Sequence, residues 1–290
     1  MIIWIISCST QRQKDDPPQY VLEKHLRFSQ YTDPGNYADL YDELPESFNE
    51  LSILVKKQLI HPFDVEKYKD EIPEDRKFED RDFPTVSLML EELLIRDKNG
   101  IVASRKPKDR LVVACVHHNM LFASILRNHG IPVRIRAGYA KYIGDRKDLR
   151  VSHVICEVWD KKRNKWILID PDRQKVDFPR NEFEFASETW FLLRKGNLGD
   201  EKYISRYQNV DQVTVHLLCH DLSYVIGTEE AYWIDPPIVS NIKTGISDLP
   251  ESKRQILDKI AGYLKDPDNH LRNLVRIQAE NSFLHFKEDL

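Results

Sequence analysis

The chain has 290 residues, 41% hydrophobic and 31% charged, which is enough apolar material for a real core in one large domain or two ordinary ones. Its net charge of −4 provides no broad cationic surface and argues against nucleic acid as a partner. Mean hydropathy is −0.53, and no apolar run approaches the roughly 20 residues that span a bilayer, so an integral membrane segment is excluded. The charge is unevenly spread: residues 101–195 carry +9, against −8 before them and −5 after them. Flanks that dock on a basic middle explain this most simply, and a middle that handles anionic groups is the sharper alternative. Four cysteines, Cys8, Cys115, Cys156 and Cys219, without a Cys-x-x-Cys pair, predict reduced thiols rather than a disulfide framework, a zinc ribbon or a thioredoxin-like motif.

In chain order, residues 1–19 read as a disordered lead-in or truncated signal. Ile5-Ile6-Ser7-Cys8 is similar to a lipobox, but no basic residue precedes the short apolar stretch, so a cytoplasmic protein is expected. The alternative is a lipoprotein anchored through Cys8 if the true start lies upstream. Residues 20–104 form a helical N-terminal flank, with one helix from about Phe48 to His61-Pro62, a charged solvated loop over 64–82, and a second helix over Thr85 to Ile95 closed by Asn99-Gly100. Residues 105–195 are the core. Within it, Leu111 to Asn128 has helical apolar spacing, with Asp109 as expected cap and Gly130 as stop. Ile131 to Tyr139 alternates apolar and basic residues like a strand with one wet face, and Val151 to Trp159 and Lys165 to Asp170 form a hairpin about Asp160 to Arg163. Residues 196–290 are a second, mostly helical flank.

The core holds a constellation suited to nucleophilic catalysis. Cys115 falls near a helix start, where free N–H groups and the dipole stabilise a thiolate and can hold an oxyanion. Arg105, Lys106, Lys108 and Arg110 upstream reinforce that field. If Trp159 pairs with Asn164 across the loop, His153 lies directly opposite Asp170, so the carboxylate can orient one ring nitrogen while the other faces the thiol. The pleat turns Cys156 to the opposite face, as an ordinary buried thiol, and keeps Glu157 on the face of His153. Arg134 and Arg136 pair with the acidic flanks or contact a substrate carboxylate. Tyr139 and Tyr142 are packing residues or substrate platforms. Cys115, His118 and His153 lack the second paired motif that a metal site needs, His117 points away from the thiol, and Cys219-His220-Asp221 cannot converge on one atom of a helix.

Taken together, Cys115, Leu126-Arg127-x-x-Gly130-Ile131-Pro132-Val133-Arg134, Gly138-Tyr139, His153-x-x-x-Glu157 and Trp166-x-x-x-Asp170-Pro171 resemble the transglutaminase-like superfamily, relatives of papain-type cysteine peptidases. The likeness covers about residues 105–175 and suggests a bacterial member. It implies an α+β fold in which the helix bearing the cysteine packs on an antiparallel sheet. It also implies Cys115 as nucleophile, His153 as general base and acid, and Asp170 as the orienting acid. Val113 stands where many members have glycine, Val154-Ile155 where many have Ala-Trp, and no side-chain oxyanion donor can be matched.

The reading is a cysteine-dependent acyltransferase or amide hydrolase that works through a thioester on a peptide or small amide, with Arg134, Arg136, Tyr139 and Glu157 as substrate contacts. No cofactor and no metal is required. The competing class is a catalytically silent module that keeps the fold and binds a partner.

Overall fold

The computed structural model describes residues 17–144, 146, 148–205 and 209–286; the lipobox-like segment and Cys8 lie outside the described residues. The elements run α1 (Gln19–His25), α2 (Phe48–Gln58), β1 (Leu59–Ile60), α3 (Val86–Arg96), β2 (Leu111–Val112), α4 (Cys115–Asn128), β3 (Val133–Ala140), β4 (Arg150–Asp160), β5 (Lys165–Asp170), β6 (Lys175–Val176), β7 (Phe183–Phe185), α5 (Ala186–Arg194), β8 (Tyr203–Ile204), α6 (Val210–Ile226), α7 (Pro237–Ser240), α8 (Glu251–Leu264) and α9 (Pro267–Glu280). The fold is α+β, with an antiparallel sheet ordered β6-β5-β4-β3-β7, β8 joined in parallel to β4, and helices from both flanks around it.

Local chemistry explains most boundaries. Thr85 caps α3 by accepting from the Leu88 N–H. Gly130 ends α4 at φ +71°, while the Ile131 N–H returns to the Leu126 carbonyl at 2.9 Å, the left-handed stop that glycine allows. α4 starts later than its apolar spacing predicts. Leu111 and Val112 pair in parallel with Leu59 and Ile60, and Asp109 sits in a separate turn rather than at the cap. A β-branched run with a partner strand to hand takes the extended form, which leaves Cys115 as the first helical residue.

The segment expected as a solvated loop over 64–82 is partly interior. Val65 and Ile72 join Ile60 and Val112 in a small apolar cluster. Buried Glu79 accepts the Val112 N–H at 2.8 Å and pairs with Arg76 and Arg96, each at 2.8 Å. Its charge is affordable inside because every contact on it is a donor.

One face of the sheet, with Val133, Ile135, Ala137, Val154, Cys156 and Ile169, shares the main core with α4 and α6. Ile155, Leu168, Phe178, Phe183 and Phe185 form a smaller cluster on the other face. All eight residues of β3 are buried, so the wet face expected for that strand does not exist. α6 supplies the reason. It lies along β3 past the end of β7, and Asp221 accepts the Ala137 N–H at 2.9 Å and Arg136 Nε at 2.8 Å. Cys219, His220 and Asp221 are all interior.

Basic residues of the middle meet acids of the flanks. Arg127 pairs with Glu229 at 2.5 Å, Arg136 with Asp221, and Arg134 with Asp268. Arg105 is buried among carbonyls, donating to those of Leu93, Gly100 and Asp109 and to the Gln58 side chain.

Gly138 is fixed by close approach. A Cβ there would lie 2.2 Å from the Glu184 carbonyl oxygen and 2.9 Å from the Phe185 Cα, both backbone atoms of β7 that cannot swing aside. Gly138→Ala is expected to lower stability by about 3 kcal/mol, read as a drop in the urea midpoint, whereas Gly262→Ala, where no atom lies within 4 Å of the added carbon, should leave it unchanged or raise it.

Candidate active site

The site forms where the N-terminus of α4 meets the strands β4 and β5. Cys115 is the first residue of the helix and partly exposed, so a substrate can reach it. Its own N–H, as a first-turn group, has no helical partner. The start of the helix is clamped from both sides. The Val113 N–H donates to the Ile60 carbonyl at 3.0 Å, the Ala114 N–H to Asp80 Oδ1 at 2.5 Å, and Asn119 Nδ2 ties the Cys115 carbonyl (2.9 Å) to that of Val154 (3.0 Å).

His153 Nε2 lies 2.8 Å from Asp170 Oδ2, which leaves Nδ1 for the thiol. The hairpin register differs from expectation by two residues: Trp159 pairs with Trp166 and Asp160 with Lys165, around a loop of residues 161–164 in which Asn164 takes φ 51°. An even shift keeps every side chain on its face. Asp170 therefore sits level with Ile155, diagonal to His153, and a carboxylate and an imidazole span a diagonal easily. Tyr142 donates to the same Asp170 oxygen at 2.7 Å, and the Arg173 N–H to the other at 3.0 Å, so the carboxylate cannot turn.

The electrostatics make an ion pair of the thiol and the ring. Burial alone would raise the Cys115 pKa, but His153 and then His61 outweigh it and bring the thiol down to about 6. Burial would lower His153, but Asp170 and the Cys115 sulfur raise it well above its usual value. The two histidines drop the thiol pKa, and the upstream basic residues do not carry the field assigned to them. Arg105 is spent on carbonyls, and Arg110 donates to the Arg105 carbonyl and lies over the Tyr68 ring.

His61 is the residue that sequence reasoning missed. It follows β1, whose parallel pairing with β2 sets it beside Ala114 and Cys115. Its Nδ1 accepts the Phe63 N–H at 3.1 Å, which makes Nε2 the ring nitrogen free to donate, and the ring lowers the Cys115 pKa. The only trace in the sequence was its position before Pro62, read there as a helix stop. Asp172, fully buried next to the site, is held by Lys56 at 2.6 Å and Arg173 at 3.2 Å, with His118 Nε2 at 3.6 Å. Burial takes the His118 pKa down to about 3.

The residues expected to bind substrate stand elsewhere. Arg134 pairs with Glu157 at 2.6 Å and with Asp268, and its guanidinium lies 4.3 Å over Trp166. Arg136 pairs with Glu157 at 2.7 Å and with Asp221. Burial opposes the Glu157 charge, but Arg134 and Arg136 take its pKa down to about 2. These three line a cavity of about 940 Å³ with Phe185, Phe191 and Leu264, without Cys115, His153 or Asp170. Tyr139 is fully buried in the main core against Tyr203. Arg134, Arg136 and Glu157 join β3 and β4 to α6 and α9 by ion pairs, and none of the four residues stands with Cys115, His153 and Asp170. His117 does point away from the thiol, but inward: it is buried, 3.3 Å from Asp80 and stacked on Trp233. Cys156 is the buried thiol expected, 3.2 Å from Asn119 Oδ1.

No curated protein matches the chain. A solved structure from Cytophaga hutchinsonii, described as a candidate cysteine protease, is similar at 14% identity and TM-score 0.31, over 60% of this chain and 50% of that one. The chain thus spans half the length of that structure. Residues 110–171 match the model of the transglutaminase-like superfamily. That segment begins five residues before Cys115 and ends just past Asp170, and through it the chain carries a transglutaminase-like core.

Proposed function

We propose that the protein is a cysteine-dependent enzyme acting on an amide or other acyl group through a thioester. The observation that carries this reading is a partly exposed thiol at a helix start, brought to a pKa of about 6 by His153 and His61. A structural thiol gains nothing from such a setting, whereas burial raises both Cys156 and Cys219.

In this mechanism the Cys115 thiolate attacks the acyl carbon and a C–S bond forms. The negative charge develops on the former carbonyl oxygen, where the Cys115 N–H and His61 Nε2–H donate to it. His153, already an imidazolium, gives its proton to the leaving nitrogen as the C–N bond breaks. Water or a second amine then attacks the thioester, loses its proton to His153, and releases Cys115 as thiolate. Asp170 orients the imidazole and stabilises its charge throughout, with Tyr142 and the Arg173 N–H holding Asp170 in place.

Two outcomes are expected. The rate of iodoacetamide labelling of Cys115 should rise with an apparent pKa of about 6, against about 8.5 for a free thiol, and His153→Ala should move it upward. A free-thiol profile in the wild-type protein would remove the basis of the mechanism. Acyl transfer from a glutamine-containing peptide should give either ammonia alone or incorporation of a labelled amine, and this separates hydrolase from transferase. In the same assay His61→Ala should lower kcat about 100-fold with KM nearly unchanged, and His61→Gln, which keeps a donor, should recover part of the loss.

A further inference from the structure

α6 is buried along nearly its whole length, and it carries two histidines one turn apart, His216 and His220, a spacing that puts both rings on one face. Their ring centroids are 4.3 Å apart. The segment between α6 and α7 brings Asp235 to the same place, with Oδ1 2.5 Å from His216 Nδ1. One nitrogen or oxygen from each of the three residues lies within 4.8 Å of the other two. The cluster shares no residue with the Cys115 site.

We propose that His216, His220 and Asp235 bind one first-row divalent cation of the kind that prefers imidazole, with Zn2+ as the leading candidate. Two neutral imidazoles and one carboxylate suit zinc, whereas magnesium and calcium require oxygen ligands throughout. Ligand atoms around a tetrahedral zinc are about 3.4 Å apart, so small side-chain rotations close the group. A hydrogen-bonded His–Asp pair needs only two residues; the third donor, His220, is what makes the group a cation site. The environment is dry enough to hold ligands firmly, with His216 and His220 at 5% and 1% exposure. Asp235 keeps 27% of its side chain open, which supplies an entry path and room for a water as fourth ligand.

The cation would tie the segment carrying Asp235 to α6, and that segment braces the catalytic helix. Tyr232 donates to Asp80 Oδ2 at 2.9 Å while Asp80 Oδ1 holds the Ala114 N–H, and Trp233 stacks on His117 of α4 at 6.0 Å and 16°. The site is structural and takes no part in the acyl chemistry, so it stands or falls independently of the enzyme reading.

The test uses the full chain, freed of metal by a chelator and titrated with ZnCl2 in competition with a chromogenic indicator. One equivalent should bind with a Kd tighter than about 1 µM, and the thermal midpoint should rise on binding. Co2+ in place of Zn2+ should give visible d–d bands without the thiolate charge-transfer band that ligation by Cys115 would produce. Asp235→Asn, nearly the same in volume and partly exposed, should weaken Zn2+ binding at least about 10-fold and cancel the rise in midpoint. His216→Ala with His220→Ala should abolish binding; should that variant not fold, Asp235→Asn decides alone. Absence of binding below about 100 µM, a thiolate band with Co2+, or unchanged affinity in Asp235→Asn would each overturn the proposal.

Discussion

A thiol buried on most sides becomes an anion only if its surroundings return what desolvation takes away, and the structure returns it with two imidazoles. His153 reaches Cys115 from the sheet and His61 from the N-terminal flank. Much of the architecture keeps those three side chains together. The parallel pairing of Leu59-Ile60 with Leu111-Val112 delivers His61 and ends the extended run just before Cys115. Asp80 and Asn119 fix the first turn of α4. Asp170, held by Tyr142 and the Arg173 N–H, keeps His153 protonated and oriented.

The N-terminal flank is therefore part of the site and not a cover laid over it. It supplies His61, Asp80 and Lys56, the last of which neutralises Asp172 beneath the cysteine helix. The C-terminal flank works through charge. Asp221, Glu229 and Asp268 absorb Arg136, Arg127 and Arg134, so much of the +9 of the middle third is answered inside the fold. Mutual docking of the segments, the simpler explanation of the charge split, accounts for these arginines.

The core was legible from its sequence because its signals are local. The spacing of Cys115, Gly130, Gly138, His153 and Asp170 reports a helix, its stop, a strand and a hairpin, and the hairpin register could miss by two without moving a side chain to the wrong face. The burial of Arg134 and Arg136 was not legible, because alternation in β3 marks two faces but does not say that α6 and the aromatic residues of β7 cover the second. His61 was hidden for a related reason. Its partner is 54 positions away along the chain, and the β1–β2 contact, two residues on each side, helps bring them together.

The central claim is that Cys115 carries the acyl group, and the most direct measurement is intact-mass analysis of the protein rapidly quenched after mixing with an activated p-nitrophenyl ester. The account predicts one acyl group per chain, mapped by peptide digestion to Cys115, removable by hydroxylamine, and absent in Cys115→Ala. An unmodified protein, or an acyl group on any other residue, would contradict it.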